Sequence, residues 1–148
     1  MSVTIRDVRD GDFFGWLPLF DAYCRARGAA LDDTKALIVW SWIQDPRSAL
    51  RGIVAVDDEG APVGLVHYHP EPRTIDASVG LVVDDLYVDD AHRGNGVARQ
   101  LLARVRERAG ELHATRVSWT ADPADQDGIR VSDEVARRNP AIAFEMDL

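Results

Sequence analysis

Asp84-Asp85-Leu86-Tyr87-Val88-Asp89-Asp90-Ala91-His92-Arg93-Gly94-Asn95-Gly96-Val97-Ala98-Arg99-Gln100-Leu101-Leu102 is the stretch that decides how the chain is read. An apolar strand ending at Val88 gives way to a polar turn, and two closely spaced glycines stand where the next helix must begin. The first turn of a helix leaves backbone N–H groups unpaired and carries the positive end of the peptide dipole. Glycines there keep side chains away, so a phosphate or pyrophosphate can approach the backbone. Arg93 and Arg99 add positive charge, and Arg93 is placed for a charge-assisted contact. A plain strand-to-helix turn would need only the glycines; strand, arginine, paired glycines and helix together favour an anion site. No GKS or GKT follows, which excludes a Walker A loop, and Arg99 stands where the dinucleotide pattern GxGxxG needs its third glycine.

Working outward, the helix that starts near Asn95 runs to Ala109, with Leu101, Leu102 and Val105 inward and Gly110 as its stop. A strand over Ala114 to Thr120, a helix over 125–138 and a closing strand from Ala141 to Met146 follow. Upstream, Gly52–Val56 and Pro62–His69 form a hairpin about Asp57–Gly60, Pro70–Arg73 breaks the pattern, and Val79–Val88 is a further strand. Val3–Arg6 reads as a first strand. Apolar spacings of three and four give a helix over about 11–27, kinked or split at Pro18 and ended by Gly28. A second helix is capped by Asp32 or Asp33 and stopped by Asp45-Pro46. Residues 79–138 then form a βαβ-like unit, and the hairpin makes the sheet mixed rather than wholly parallel. No linker or repeat divides the chain, so 1–148 is expected to be one α/β domain.

Composition bounds the function. Among 148 residues, 46% are apolar and 28% charged, the balance of a globular chain with a core of its own. The single cysteine, Cys24, lies in an apolar helix stripe with no paired base, which argues against a covalent nucleophile. His67 and His69 have no third ligand nearby, so no metal is expected. A formal net charge of −8 argues against nucleic acid and anionic membranes, and suits a cationic acceptor. No signal-like or spanning segment is evident, so the expected location is cytoplasmic. The aromatic content is compatible with a homodimer.

Arg93-Gly94-Asn95-Gly96-Val97-Ala98, preceded by the strand Asp85-Leu86-Tyr87-Val88, resembles the R/Q-x-x-G-x-G/A pyrophosphate motif of the GCN5-related N-acetyltransferase (GNAT) superfamily. The resemblance covers nearly the whole chain, including WLPLFDAYCR in the first helix and the hairpin ending VGLVHYH, and its flanks look like the polyamine and small-molecule branch. It implies a mostly antiparallel sheet flanked by helices, opened as a V between the strands at 79–88 and 114–120 to receive acetyl-CoA as cosubstrate. By this resemblance the backbones of Leu86 and Val88 would meet the pantetheine arm, and Tyr87 between them is also expected to bind the cofactor. The backbone of Arg93, Gly94, Asn95, Gly96, Val97 and Ala98 would hold the pyrophosphate, with Arg99 a further cofactor-binding residue. The implied activity is direct acetyl transfer to a primary amine of a small molecule or peptide.

Such a transfer needs a neutral amine beside the thioester, donors for the developing oxyanion, and groups to take and return protons. Asp84 is the candidate base or amine-binding carboxylate, whereas Asp85 would point to the other side of a regular strand unless a bulge intervenes. Capping or pairing at a sheet edge is the alternative for both acids. His67 and Tyr68 are candidates for the acceptor pocket, with core packing as the alternative for His67. Related enzymes commonly carry N-x-x-A-x-x-L-Y in the late helix. Here Asp125 replaces the asparagine that can contact CoA, Gly128 replaces the alanine, and Ser132 stands where a tyrosine often serves as general acid. Either Ser132 or water protonates the leaving thiolate, or the chain is an acyl-CoA-binding regulatory or catalytically degenerate member. An unrelated interaction domain is the third reading.

Overall fold

The computed structural model describes residues 2–148. Strands β1 (Thr4–Asp7), β2 (Arg51–Val56), β3 (Pro62–Arg73), β4 (Ser78–Val88) and β5 (Val117–Ser118) form one sheet in that order. The pairings are antiparallel through β4, and β5 lies parallel to β4. Helices α1 (Phe13–Ala26) and α2 (Asp33–Gln44) precede β2, α3 (Val97–Glu111) joins β4 to β5, and α4 (Gln126–Val135) follows. This is the expected mixed, mostly antiparallel sheet flanked by helices, with the β4–α3–β5 crossover forming the parallel pair.

Strand alternation explains the two cores. Val54, Val56 and Leu65 pack beneath α1 and α2 with Trp16, Leu19, Phe20, Ala36 and Ile43. Their neighbours Ile53, Ala55, Val66 and Tyr68 face Val97, Leu101 and Val105 of α3. Gly64 sets how closely α3 lies on the sheet, since a Cβ there would sit 3.2 Å from both Leu101 and Val97 side-chain carbons. The α3 N-terminus is thereby held against the end of β4.

Four expectations need correction. Pro70–Arg73 does not break β3: Pro70 pairs with Leu81 and Pro72 with Val79. The β2 pairing ends at Arg51–Tyr68, so from His69 onward β3 is an edge, where a residue without an N–H costs no ladder bond. Secondly, of the two forms expected for α1 the split one is overturned: the helix is continuous through Pro18. The carbonyl that Pro18 leaves without a donor is that of Phe14, whose side chain is 83% exposed, so water can reach that face. Thirdly, α3 passes through Gly110, its expected stop, to Glu111, the strand expected over 114–120 contracts to Val117–Ser118, and α4 stops at Val135. Finally, residues 141–146 form no strand: Ile142, Phe144 and Met146 stand exposed. Alternation becomes a strand only where a neighbour supplies hydrogen bonds, and β5 has just two paired residues to extend.

One ion pair ties β1 to the start of α1. Arg6 donates to both carboxylate oxygens of Asp12 at 2.7 and 2.8 Å, and Asp12 also accepts from Arg9 N. Chiefly through the Arg6 hydrogen bond, the Asp12 carboxyl is held below its ordinary value of 3.8. A depressed folded value stabilises above the unfolded one, and that stabilisation is lost as pH falls through the folded value. Asp12→Asn should therefore melt below the wild type at about pH 5, and the gap should narrow by about pH 2. A gap constant across that range would refute this role.

Candidate active site

The sheet splits beyond the two β4–β5 pairs, Leu81–Val117 and Val82–Ser118. Two adjoining cavities of about 280 Å³ each occupy the split and share Leu86, Tyr87, Arg93, Asp125 and Gly128. The opening is the V expected between these strands.

A bulge in β4 organises the first cavity. The β3–β4 register passes from Tyr68–Val83 to His67–Asp85, leaving Asp84 without a partner. The extra residue shifts the phase of everything after it. Leu81 and Val83 face α3 before the bulge, and Leu86 and Val88 face it afterwards. Asp84 and Asp85 consequently lie on the same side, toward α1. Asp85 would point away from Asp84 in a regular strand, and the bulge allowed for in the sequence is what brings the two together. Asp84 Oδ2 lies 2.7 Å from His69 Nδ1, with both side chains one-third exposed. Asp85 Oδ2 lies 2.8 Å from Nδ1 of the fully buried His67.

The same phase shift turns different backbone groups to the open edge. Upstream, Leu81 N bonds Arg116 O and Val79 O accepts from Thr115 N on the β5 side. Downstream, Asp89 N reaches back to Val63 O, so Leu86 and Val88 direct their own N–H and C=O into the split. The Val88 carbonyl accepts from Arg93 Nε at 3.0 Å, which leaves the N–H of Val88 and both groups of Leu86 on that edge.

The second cavity sits on the α3 N-terminus. Gly94 and Gly96 have φ of +81° and +79°, a region where a side chain is strained, and a Cβ on either would enter open space. Gly96 caps α3, and the first intrahelical bond runs from Gln100 N to Gly96 O, so the N–H groups of Val97, Ala98 and Arg99 have no helical partner. The donor set and the open cradle fit a pyrophosphate. Arg93 leans over the Tyr87 ring at 5.2 Å, its Nε held by Val88 and facing Asp90 at 3.3 Å. Arg99 lines the cavity but is ion-paired with Glu134 of α4. Asn95 is in the glycine turn, outside the cavity lining.

Asp125 caps α4, accepting from Gly128 N at 3.0 Å. A Cβ on residue 128 would run into that carboxylate, which gives a local reason for the glycine. Ser132 lines the first cavity, and its Oγ accepts from Trp119 Nε1 at 2.9 Å. The indole occupies a lone pair, so the hydroxyl proton is left to donate elsewhere.

The structure thus brings together Asp84, Leu86, Tyr87, Arg93, Asp125 and Ser132 around the first cavity. Tyr68 is not among them: it is buried on the α3 face, and His67 reaches the cleft only through Asp85. Asp85, Tyr23 and Trp119 were missed as lining residues. The Tyr23 hydroxyl lies 3.4 Å from the Asp84 carbonyl, and burial first, then the Asp85 carboxylate, raise its phenol above the usual value. In the sequence Tyr23 reads simply as part of the α1 apolar stripe.

A mixed sheet split beside a glycine-capped helix is an architecture that offers an open strand edge next to an anion cradle. Residues 16–132 match the acetyltransferase (GNAT) family, and the chain belongs to it. It is 27% identical over 121 residues to the D-amino-acid N-acetyltransferase HPA3 of Saccharomyces cerevisiae, covering 81% of this chain and 75% of that protein. It is 33% identical over 92 residues to the uncharacterized N-acetyltransferase YhbS of Escherichia coli K12, covering 62% of this chain and 54% of that protein. The fold superposes on a ribosomal-protein-alanine N-acetyltransferase from Brucella melitensis biovar Abortus 2308 with a TM-score of 0.84 at 22% identity, over the full length of both chains.

Proposed function

We propose that this protein transfers acetyl from acetyl-CoA directly to a primary amine of a small molecule or peptide. The reading rests on the β4 bulge, which turns Asp84 and Asp85 to one side of the split, next to the α3 cradle. Acetyl-CoA supplies the activated thioester: the amine nitrogen bonds its carbonyl carbon, the C–S bond breaks, and CoA leaves as the thiol.

The chain's own groups divide the rest. The N–H groups of Val97, Ala98 and Arg99, with Arg93, hold the pyrophosphate, and the edge of Leu86 and Val88 aligns the pantetheine. Asp84 takes the proton of the attacking ammonium, and the half-buried His69 on its far side opens a way to solvent. The N–H groups on the open edge of β4 are the donors nearest the developing oxyanion. Ser132 or water returns a proton to the thiolate. The relation to a D-amino-acid N-acetyltransferase supports a small amine as acceptor.

A release assay for the CoA thiol with a panel of primary amines tests this reading. Amine-dependent release supports it, and release indifferent to every amine contradicts it. Ser132 in the place of a tyrosine favours a second reading, an acyl-CoA-binding protein without turnover. Under the enzymatic reading Ser132→Ala should lower kcat only about tenfold, below the ~10²–10⁴ of a full general acid, because positioning carries much of the rate. A loss beyond a hundredfold would make Ser132 the obligatory acid.

A further inference from the structure

The most unusual buried group is His67. It is fully enclosed beneath α1, and both ring nitrogens are engaged. Trp16 Nε1 lies 2.9 Å from His67 Nε2, and His67 Nδ1 lies 2.8 Å from Asp85 Oδ2. An indole N–H can only donate, so Nε2 must accept. Nδ1 therefore carries the proton and donates to the carboxylate. Trp16 is itself fully buried, stacked on Phe20 at 5.0 Å and against Trp40 at 5.0 Å, so it cannot swing away. The chain Trp16–His67–Asp85 runs from the α1 core to the wall of the cleft, with every hydrogen bond pointing the same way.

Asp84 and Asp85 are held differently. Asp84 bonds a solvent-reaching histidine, as suits a group that gains and loses a proton. Asp85 bonds a histidine with no exposure at all, fixed in one tautomer from behind. The side chain of Asp85 is 22% exposed, so the carboxylate still meets the cavity, where the Tyr23 phenol is its neighbour. A carboxylate anchored this way is suited to holding a cation in place, not to shuttling its proton.

We infer that Asp85 is the seat of the acceptor ammonium and that His67, fixed as the Nδ1–H tautomer by Trp16, is its positioning residue. The inference rests on the amine-transfer reading above and deepens it. The acceptor nitrogen binds between the two aspartates, oriented by Asp85 and deprotonated by Asp84.

The first test reads the wild-type protein and uses a variant only for assignment. A long-range ¹H–¹⁵N correlation spectrum at neutral pH, with His67 assigned by its absence in His67→Gln, should show the Nδ1–H tautomer alone. An Nε2–H tautomer or a mixture overturns the relay. The second test is steady-state kinetics with the best acceptor among n-butylamine, 1,4-diaminobutane and alanine methyl ester. Asp85→Asn and Trp16→Phe should each raise KM for the amine about tenfold or more, with KM for acetyl-CoA within about twofold. Folded variants with an unchanged amine KM, or with both KM values raised alike, overturn the seat. If the wild type binds acetyl-CoA yet acetylates no amine of the panel, the transfer reading itself fails, and that failure is seen before any variant is compared.

Discussion

Asp84→Ala should lower kcat for acetyl transfer at least a hundredfold while acetyl-CoA affinity stays within about twofold, since positioned general bases contribute ~10²–10⁴. Asp84 is the unpaired residue of the β4 bulge, and its carboxylate bonds only the partly exposed His69 among the described residues. Removing it therefore empties no core space. The α3 cradle lies in the adjoining cavity, which does not include Asp84, so cosubstrate binding should be spared. Paired measurements on one preparation check this, with calorimetry for acetyl-CoA and thiol release for turnover. Asp84→Asn separates the proton from the geometry: an amide can keep the His69 contact but cannot accept the amine proton, so it should be nearly as impaired. Full activity in Asp84→Ala would remove Asp84 from catalysis and leave Asp85 or water to carry the proton.

The second large effect concerns the cradle. Gly96→Val should weaken acetyl-CoA binding by tenfold or more, because a β-branched residue at φ +79° costs about 1–2 kcal/mol and its side chain enters the open cavity. Arg93→Ala should weaken it by about 10- to 100-fold, the equivalent of a charged hydrogen bond worth roughly 1.5–3 kcal/mol. The two differ in a way calorimetry can read. Arg93→Ala leaves the helix cap intact, so its deficit should shrink at high salt, where wild-type charge contacts are screened too. The Gly96→Val deficit arises from shape and should persist. Unchanged affinity in Arg93→Ala would contradict the proposed placement of the pyrophosphate.

The parts of the site legible in the sequence were those whose signal is local. A strand, an arginine, two glycines and a helix follow one another in the sequence between Asp85 and Leu102, and the structure keeps that order, with the helix beginning two residues later than expected, at Val97. The hairpin and the β4–α3–β5 crossover were legible for the same reason. What escaped depends on partners distant in the chain. Asp84-Asp85 in an isolated strand must lie on opposite faces, and only the register against β3 reveals the bulge that puts them together. His67 reads as one inward position of an alternating strand, and its indole partner is 51 residues away. Pro70 and Pro72 looked like a break because nothing local tells that β2 has ended and their side of β3 is an edge. The tail from 141 to 146 alternates as a strand does but has no neighbour to pair with, so periodicity misled there.

Isothermal titration of the purified protein with acetyl-CoA, with CoA and ATP as comparison ligands, tests whether the split and the α3 cradle hold the cosubstrate. Acetyl-CoA and CoA should bind saturably, and ATP much more weakly, because it has phosphates for the α3 cradle but no pantetheine for the open edge of β4. Absence of acetyl-CoA binding by the folded protein would contradict that role.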